Sequence, residues 1–216
     1  MRIKYLAHAS FMITSEDNNL KIITDPYTPG QGLNYAPINE TADIVTVSHE
    51  HGDHNNIKSV RGNPVIIKKA GVQTVKGIEI KGIPVYHDES KGSKRGNNLI
   101  FCFKTDGLNV CHLGDLGHAL DQKQLAEIGP VDVLMIPVGG FFTIDVKTAT
   151  SIASLTGAKV VIPMHYKTDK TEYPISPIDD FLKDKKEVQK QSSSEIEITK
   201  KNLPEKQKII VLQPAL

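Results

Sequence analysis

The stretch Ser48-His49-Glu50-His51-Gly52-Asp53-His54 constrains this chain more than any other. It gathers three imidazoles and the Asp53 carboxylate within six residues. It directly follows Ile44-Val45-Thr46-Val47, a β-branched run that reads as a buried strand. Imidazole nitrogen and carboxylate oxygen are ligands that zinc, iron and manganese accept. On a turn leaving a strand, His49 and His51 can face one ion while Asp53 and His54 swing towards a second. The plain alternative is a solvated, His-rich loop, which the His-x-His-x-Asp-His spacing argues against.

A chain of 216 residues can bury one substantial core, so a single domain over 1–216 is expected. The formal charge of +1 argues against a surface that coats nucleic acid. Residues 1–8 include basic side chains but lead into no long apolar region, and no run approaches transmembrane length. Neither a signal peptide nor membrane insertion is expected, and a cytoplasmic location is the default. Homo-oligomerisation is left open.

Strand signals run through the first half. Residues 11–14 and Lys21–Thr24 are strand candidates around a polar 15–19 turn, and a loop rich in Gly and Pro spans 27–37. Short candidates follow at 65–68, Gly71–Val75, 78–80 and 83–86. Residues 88–98 read as a flexible segment. Asp106-Gly107 is a two-residue hairpin signal between 98–105 and Leu108–His112, and counting back from it pairs Cys102 with Cys111. Opposed residues have Cβ atoms about 4.5–5.5 Å apart, a little wide for a disulfide. Two reduced, buried thiols are the expected state in a cytosol.

The second half alternates. A short helix at 121–128 precedes a buried strand at 131–136. Asp145 caps a helix with Val146, Ala149, Ile152, Ala153 and Thr156 on one face, and Gly157 closes it. A strand at 160–162 makes a βαβ unit and hence a parallel pair. Ser176-Pro177 opens another helix, 183–194 reads as a solvated helix end and loop, and 196–199 and 208–212 are closing strands. The expected class is α/β of the α+β type, a four-layer αββα sandwich. In it Asp25, His49, His87, Asp115 and His165 each stand just beyond a strand end, so they can converge at one edge.

The His motif, followed in order by Gly114-Asp115 and Pro163-Met164-His165, resembles the metallo-β-lactamase-fold hydrolases. Diiron oxygen reductases of that fold carry Glu where this chain has His51, so the hydrolytic branch fits better. Within it the chain looks most like the subgroup of ascorbate-6-phosphate lactonase and the phospholipase D that cleaves N-acyl phosphatidylethanolamines. Ala7-His8-Ala9-Ser10-Phe11 matches that subgroup's opening stretch, with Ala7 where Gly is usual. The resemblance implies His49, His51 and His87 as ligands of a first divalent ion and Asp53, His54 and His165 as ligands of a second. Asp115 bridges both. Zinc is the first expectation, with manganese or iron as alternatives.

The chemistry so implied is hydrolysis of a small ester, lactone or phosphoester, neutral or anionic, by a metal-bridging hydroxide, with Asp53 and Asp115 as catalytic carboxylates. Asp25 would orient a ligand imidazole, against a plain turn-capping role before Pro26. His8 divides between structure and substrate contact, and His118 between helix start and site rim. His112 reads as a core or supporting histidine and Glu50 as solvated. Arg95 and Lys167 are candidate contacts to an anionic substrate, each with simple solvation as the alternative. A small-molecule substrate and no nucleic acid are the expected partners. A metal-containing redox or oxygen-handling protein and a non-catalytic metal-stabilised scaffold are the competing readings.

Overall fold

Period-2 alternation of large apolar side chains organises the chain into two sheets in the computed structural model, which describes residues 1–216. The first sheet begins with β1 (Arg2–Ala7), β2 (Ser10–Thr14) and β3 (Lys21–Thr24), an antiparallel meander. It continues in parallel through β4 (Ile44–Thr46) and β5 (Val65–Ile67). Along these strands Ile3, Tyr5, Phe11, Ile13, Ile22 and Ile44 face the second sheet. Their neighbours Leu6, Met12, Ile23 and Val45 face the other way.

The second sheet starts with an antiparallel run, β6 (Gly71–Val75), β7 (Ile78–Tyr86), β8 (Asn97–Thr105) and β9 (Leu108–His112). It then turns parallel through β10 (Val133–Pro137), β11 (Val160–Met164) and β14 (Lys208–Val211), with β12 (Val188–Lys190) at the edge. β13 (Glu195–Glu197) crosses back to pair with β1. Apolar residues from both inner faces merge into one buried cluster. Each fully buried Ile or Phe there contributes about 1.5–3 kcal/mol of transfer free energy.

Three helices cover the second sheet. The first, α1 (Gln122–Ile128), starts at a reciprocal cap between Asp121 and Gln124 and packs on β7. In α2 (Val146–Leu155), Asp145 accepts from the Thr148 amide at 2.7 Å, and Ala149, Ile152 and Ala153 face β10. α3 (Ile178–Leu182) buries Phe181 and packs on α2. The outer face of the first sheet carries no α-helix; Tyr27, Leu33, Tyr35 and Ile38 of the loop after β3 cover it, with Ile57 of the 3-10 turn Ile57–Ser59 against them. No helix is long and apolar enough to cross a membrane.

The architecture is the expected mixed sandwich, with three local differences. Residues 78–80 and 83–86 form the single strand β7, because Lys81 and Gly82 keep their pairing with Cys102 and Phe101. Gly82 does not break the strand; a Cβ there would stand 2.5 Å from the Lys69 carbonyl oxygen, so close backbone approach requires glycine. β1 went unread because its polar residues Arg2 and Lys4 mask a strand paired on both sides. β12 lies within the segment read as solvated, its polar face exposed and its backbone satisfied by β14. Cys102 and Cys111 do pair directly, with sulfurs 3.7 Å apart as free thiols.

Candidate metal centre

All the strand ends singled out in the sequence meet at one edge of the sandwich. His49 and His51 leave β4, His87 leaves β7, Asp115 follows β9 and His165 follows β11. The ring nitrogens of His49, His51 and His87 lie within 4.8 Å of one another, and so do ligand atoms of His8, Asp53, His54 and His165. Asp115 lies between the two groups. Its Oδ2 is 3.3 Å from Nε2 of both His54 and His87 and 3.4 Å from Nε2 of His165.

The backbone makes these positions by close approach and by strain. His8, Asp25 and His165 all hold left-handed φ values, at 57°, 39° and 52°, a cost of about 1–3 kcal/mol each that the packing around them offsets. The His165 amide donates to the His8 carbonyl at 2.9 Å, joining the two sheets. Gly114 has φ +54°, and a Cβ on it would meet Asn98 Oδ1 at 2.4 Å and Ser48 Cβ at 2.6 Å. A Cβ on Gly117 would stand 2.2 Å from the His87 carbonyl carbon. Glycine at both positions lets the Asp115 turn sit against the two histidine turns.

A buried hydrogen-bond network sets the imidazole orientations. Asp25 accepts from the Ser48 amide at 2.7 Å, from Ser48 Oγ at 2.6 Å and from His54 Nδ1 at 3.0 Å. The Ser48 hydroxyl has one proton and gives it to Asp25, so at 2.9 Å it accepts from His49 Nδ1. The lone pair of His49 is thereby left on Nε2, which is buried without a hydrogen-bond partner, as is Asp115 Oδ1. Asn98 donates to the Leu113 carbonyl and accepts from the Asp115 amide, fixing that carboxylate in turn.

The electrostatics follow from burial and crowding. Burial disfavours the charged forms of His49 and His165 and brings each down to about 3. Burial also opposes ionisation of Asp115, but the imidazoles of His165 and His54 outweigh it and hold the carboxyl well below the usual range. Asp53 is lowered in the same way: burial is overcome by His54 and by the hydrogen bond to His8, at 3.2 Å. Burial of His54 is likewise overcome, by Asp115 and Asp53, and its imidazole is held well above its ordinary value. Unpartnered buried imidazole nitrogen around an ionised carboxylate is a donor set that fits divalent transition-metal ions.

The remaining candidates take different places. Asp25 belongs to the hydrogen-bond network beneath the cluster rather than to its open face. His112 donates from Nε2 to the Ala9 carbonyl at 2.8 Å and accepts the Gly114 amide, fully buried between the sheets. His118 accepts the Tyr86 amide on the rim. Glu50 is exposed and takes Lys68 at 3.0 Å. Lys167 points its amine at the Tyr173 carbonyl, 3.0 Å away. Arg95 lies over the Phe142 ring, 5.5 Å from its centroid.

The 88–98 segment is an ordered turn rather than a flexible one. Asp88 accepts from the amides of Ser90, Gly92, Lys94 and Arg95, a pattern that composition alone could not reveal. Sequence reading also missed Asn98, Phe142 and Tyr173. Tyr173 stands edge-on to His8 at 5.9 Å, and burial together with Asp53 and Asp115 pushes its phenol up to about 12. No local pattern marks these residues, since their role comes from packing across distant loops.

Known proteins share this chain's sequence and fold. The family model described as Beta-lactamase superfamily domain matches residues 2–165. A Carboxydothermus hydrogenoformans UPF0173 metal-dependent hydrolase is 34% identical over 201 residues, covering 78% of this chain and 85% of the relative. One from Pyrococcus abyssi is 31% identical over 99% of this chain and 97% of its own length. A Thermotoga maritima crystal structure of a metallo-β-lactamase superfamily protein aligns with TM-score 0.81. It is 39% identical and is matched over 98% of this chain and 97% of its own. Fold and site therefore define a metal-dependent hydrolase of the metallo-β-lactamase superfamily. Within that superfamily, the chain belongs to the UPF0173 metal-dependent hydrolase family.

Proposed function

We propose that the protein is a dinuclear hydrolase of a small ester, lactone or phosphoester. His49, His51 and His87 would hold one divalent ion, zinc in the first instance, and Asp53, His54 and His165 the other, with Asp115 reaching both. The observation that carries this reading is the meeting of three Nε2 atoms on Asp115 Oδ2, at 3.3–3.4 Å, between two separate groups of ligand atoms. Bound ions of this kind polarise a substrate oxygen and acidify a water to near neutrality.

The chain's own groups supply the rest. Asp25 and Ser48 fix His54 and His49 with their Nε2 atoms towards the centre, which is how outer hydrogen bonds tune a metal site. Asp53, kept ionised beside His8, would orient the attacking water by accepting a hydrogen bond from it. Lactone and phosphoester substrates are favoured by the likeness of Ala7-His8-Ala9-Ser10-Phe11 to the opening stretch of the lactonase and phospholipase D subgroup.

Elemental analysis of the reconstituted protein, followed by a panel of lactones, carboxylic esters and phosphodiesters, tests the proposal. Two ions per chain and metal-dependent turnover of one class are expected. A single ion per chain, or an Asp115→Asn variant with full metal content and full activity, would sink the dinuclear reading.

A further inference from the structure

A cavity of about 610 Å³ opens beside His49 and His51. Lys68 and Lys69 stand at its β5 side, and Tyr86, Arg95 and Asn97 line its β7–β8 side. Lys68 is neutralised by Glu50 at 3.0 Å. Neither Arg95 nor the exposed Lys69 has a carboxylate within ion-pair distance, so Arg95 is the one partly buried cation of the cavity without a counter-charge and Lys69 adds a solvated charge at its mouth. Arg95 is half-buried, and a partly desolvated guanidinium without an anion is an unfavourable arrangement for the free protein.

The guanidinium is also held in place. Arg95 lines both this cavity and a smaller neighbour; its guanidinium carbon lies 5.5 Å from the centroid of Phe142, which lines the smaller one, and its backbone amide donates to Asp88 at 2.8 Å. The same turn is tied to the metal centre, because the His87 amide donates to the Gly96 carbonyl at 3.0 Å. A fixed guanidinium presents two parallel N–H groups that match the two oxygens of a carboxylate or phosphate. The smaller cavity, about 210 Å³, also has His87, His118 and Phe142 in its wall, but its formal charges beside Arg95 are three carboxylates, Asp88, Glu89 and Asp145, against one lysine, Lys94, so it is the poorer place for an anion.

We propose that the larger cavity takes the non-reacting end of the substrate, and that this end carries a carboxylate or phosphate gripped by Arg95 and Lys69. The proposal rests on the hydrolytic reading for what happens at the metal centre, whereas the grip itself stands on the cavity. It places the substrate body on the His49 and His51 side of the cluster. It also makes the substrate an anion whose charge lies away from the bond to be broken.

The test is calorimetric titration of metal-loaded protein with a ladder of α,ω-dicarboxylates from succinate to pimelate, their monoamides, and phosphonocarboxylates of equal length. Wild type should bind one diacid about tenfold more tightly than its monoamide, the expected size for a charge-assisted contact. Arg95→Gln should remove that preference at unchanged metal content, Lys69→Gln should reduce it, and Arg95→Lys should restore only part of it. A stronger phosphonate tail would identify phosphate as the group read, and a stronger carboxylate tail a carboxylate. Equal binding of diacid and monoamide by wild type, or a full preference retained in the Arg95→Gln, Lys69→Gln double variant, overturns the proposal. A protein that grips the diacid but carries one ion would leave the grip standing and sink the dinuclear reading.

Discussion

Asp25 and His54 form a fully buried pair, with the carboxylate accepting from Nδ1 at 3.0 Å while Nε2 of the same ring faces Asp115 at 3.3 Å. One hydrogen bond therefore sets both the tautomer and the aim of a proposed ligand. Asp25→Asn keeps an oxygen for the Ser48 amide but loses the charge that holds the imidazole. Metal affinity should fall about 10–100-fold, the usual effect of removing such a partner, with the circular dichroism spectrum unchanged. Full affinity in a competitive chelator titration would show that Asp25 only caps its turn.

Gly114→Ala should be severe for so small a change. The new methyl would enter space held by Asn98 and Ser48, at a φ that favours glycine. A loss of at least about 1–3 kcal/mol in urea unfolding is expected, together with weakened metal binding as Asp115 is displaced. Wild-type stability and metal content would mean the loops yield freely.

Acid should destabilise the metal-free protein. His49 and His165 sit at about 3 when folded but near 6.5 when unfolded, so the unfolded chain binds more protons between those values. Their contribution is fully present above about 6.5 and is lost as pH falls towards 3. Depressed Asp115, Asp53 and Asp25 add loss in the same direction below about 4. His54, which is raised, does not change across this window; its stabilisation is complete below about 6.5 and is lost as pH rises through its folded value. The depressed groups alone set the slope there, so the urea midpoint should drop from about pH 6.5 to about 3. A flat profile would contradict the burial argument.

Asp106 tests the joint between the sheets at another point. It sits at the β8–β9 turn and accepts from Ser15 Oγ at 2.6 Å, the Glu16 amide at 2.8 Å and the Met1 amino group at 2.9 Å. Asp106→Asn retains a residue suited to its positive φ but removes the charge. A cost of about 1–3 kcal/mol in denaturant unfolding is expected, with metal content intact. No change in midpoint would make the contact a solvated one.

The cysteine pair gives a chemical check on register. Cys102 is partly accessible, whereas the Cys102 contact and burial both push the Cys111 thiol up. Alkylation of the native protein, read by peptide mass, should label Cys102 first. Faster labelling of Cys111 would contradict the pairing.

What the sequence determined by itself is local. Ile44-Val45-Thr46-Val47 followed by the histidine motif predicts a strand ending in ligands, since both signals lie within a few bonds of each other. The Asp106-Gly107 turn fixes the Cys102–Cys111 register for the same reason, because a two-residue turn leaves one pairing. Asp145 and Gly157 bracket a helix through caps that act over a single turn. Only the tertiary structure decided that His8 stands beside Asp53, that Asn98 holds Asp115, that Asp88 orders the turn bearing Arg95, and that Lys167 is taken by a carbonyl. Two of these contacts, His8 with Asp53 and Asn98 with Asp115, join segments far apart in the chain, whereas the Asp88 turn and the Lys167 contact span only six or seven residues in a donor pattern that composition does not encode. They exist because strained residues such as His165 and close-packed glycines such as Gly114 are held by the packing of the two sheets, a non-local energy that no short window of sequence contains.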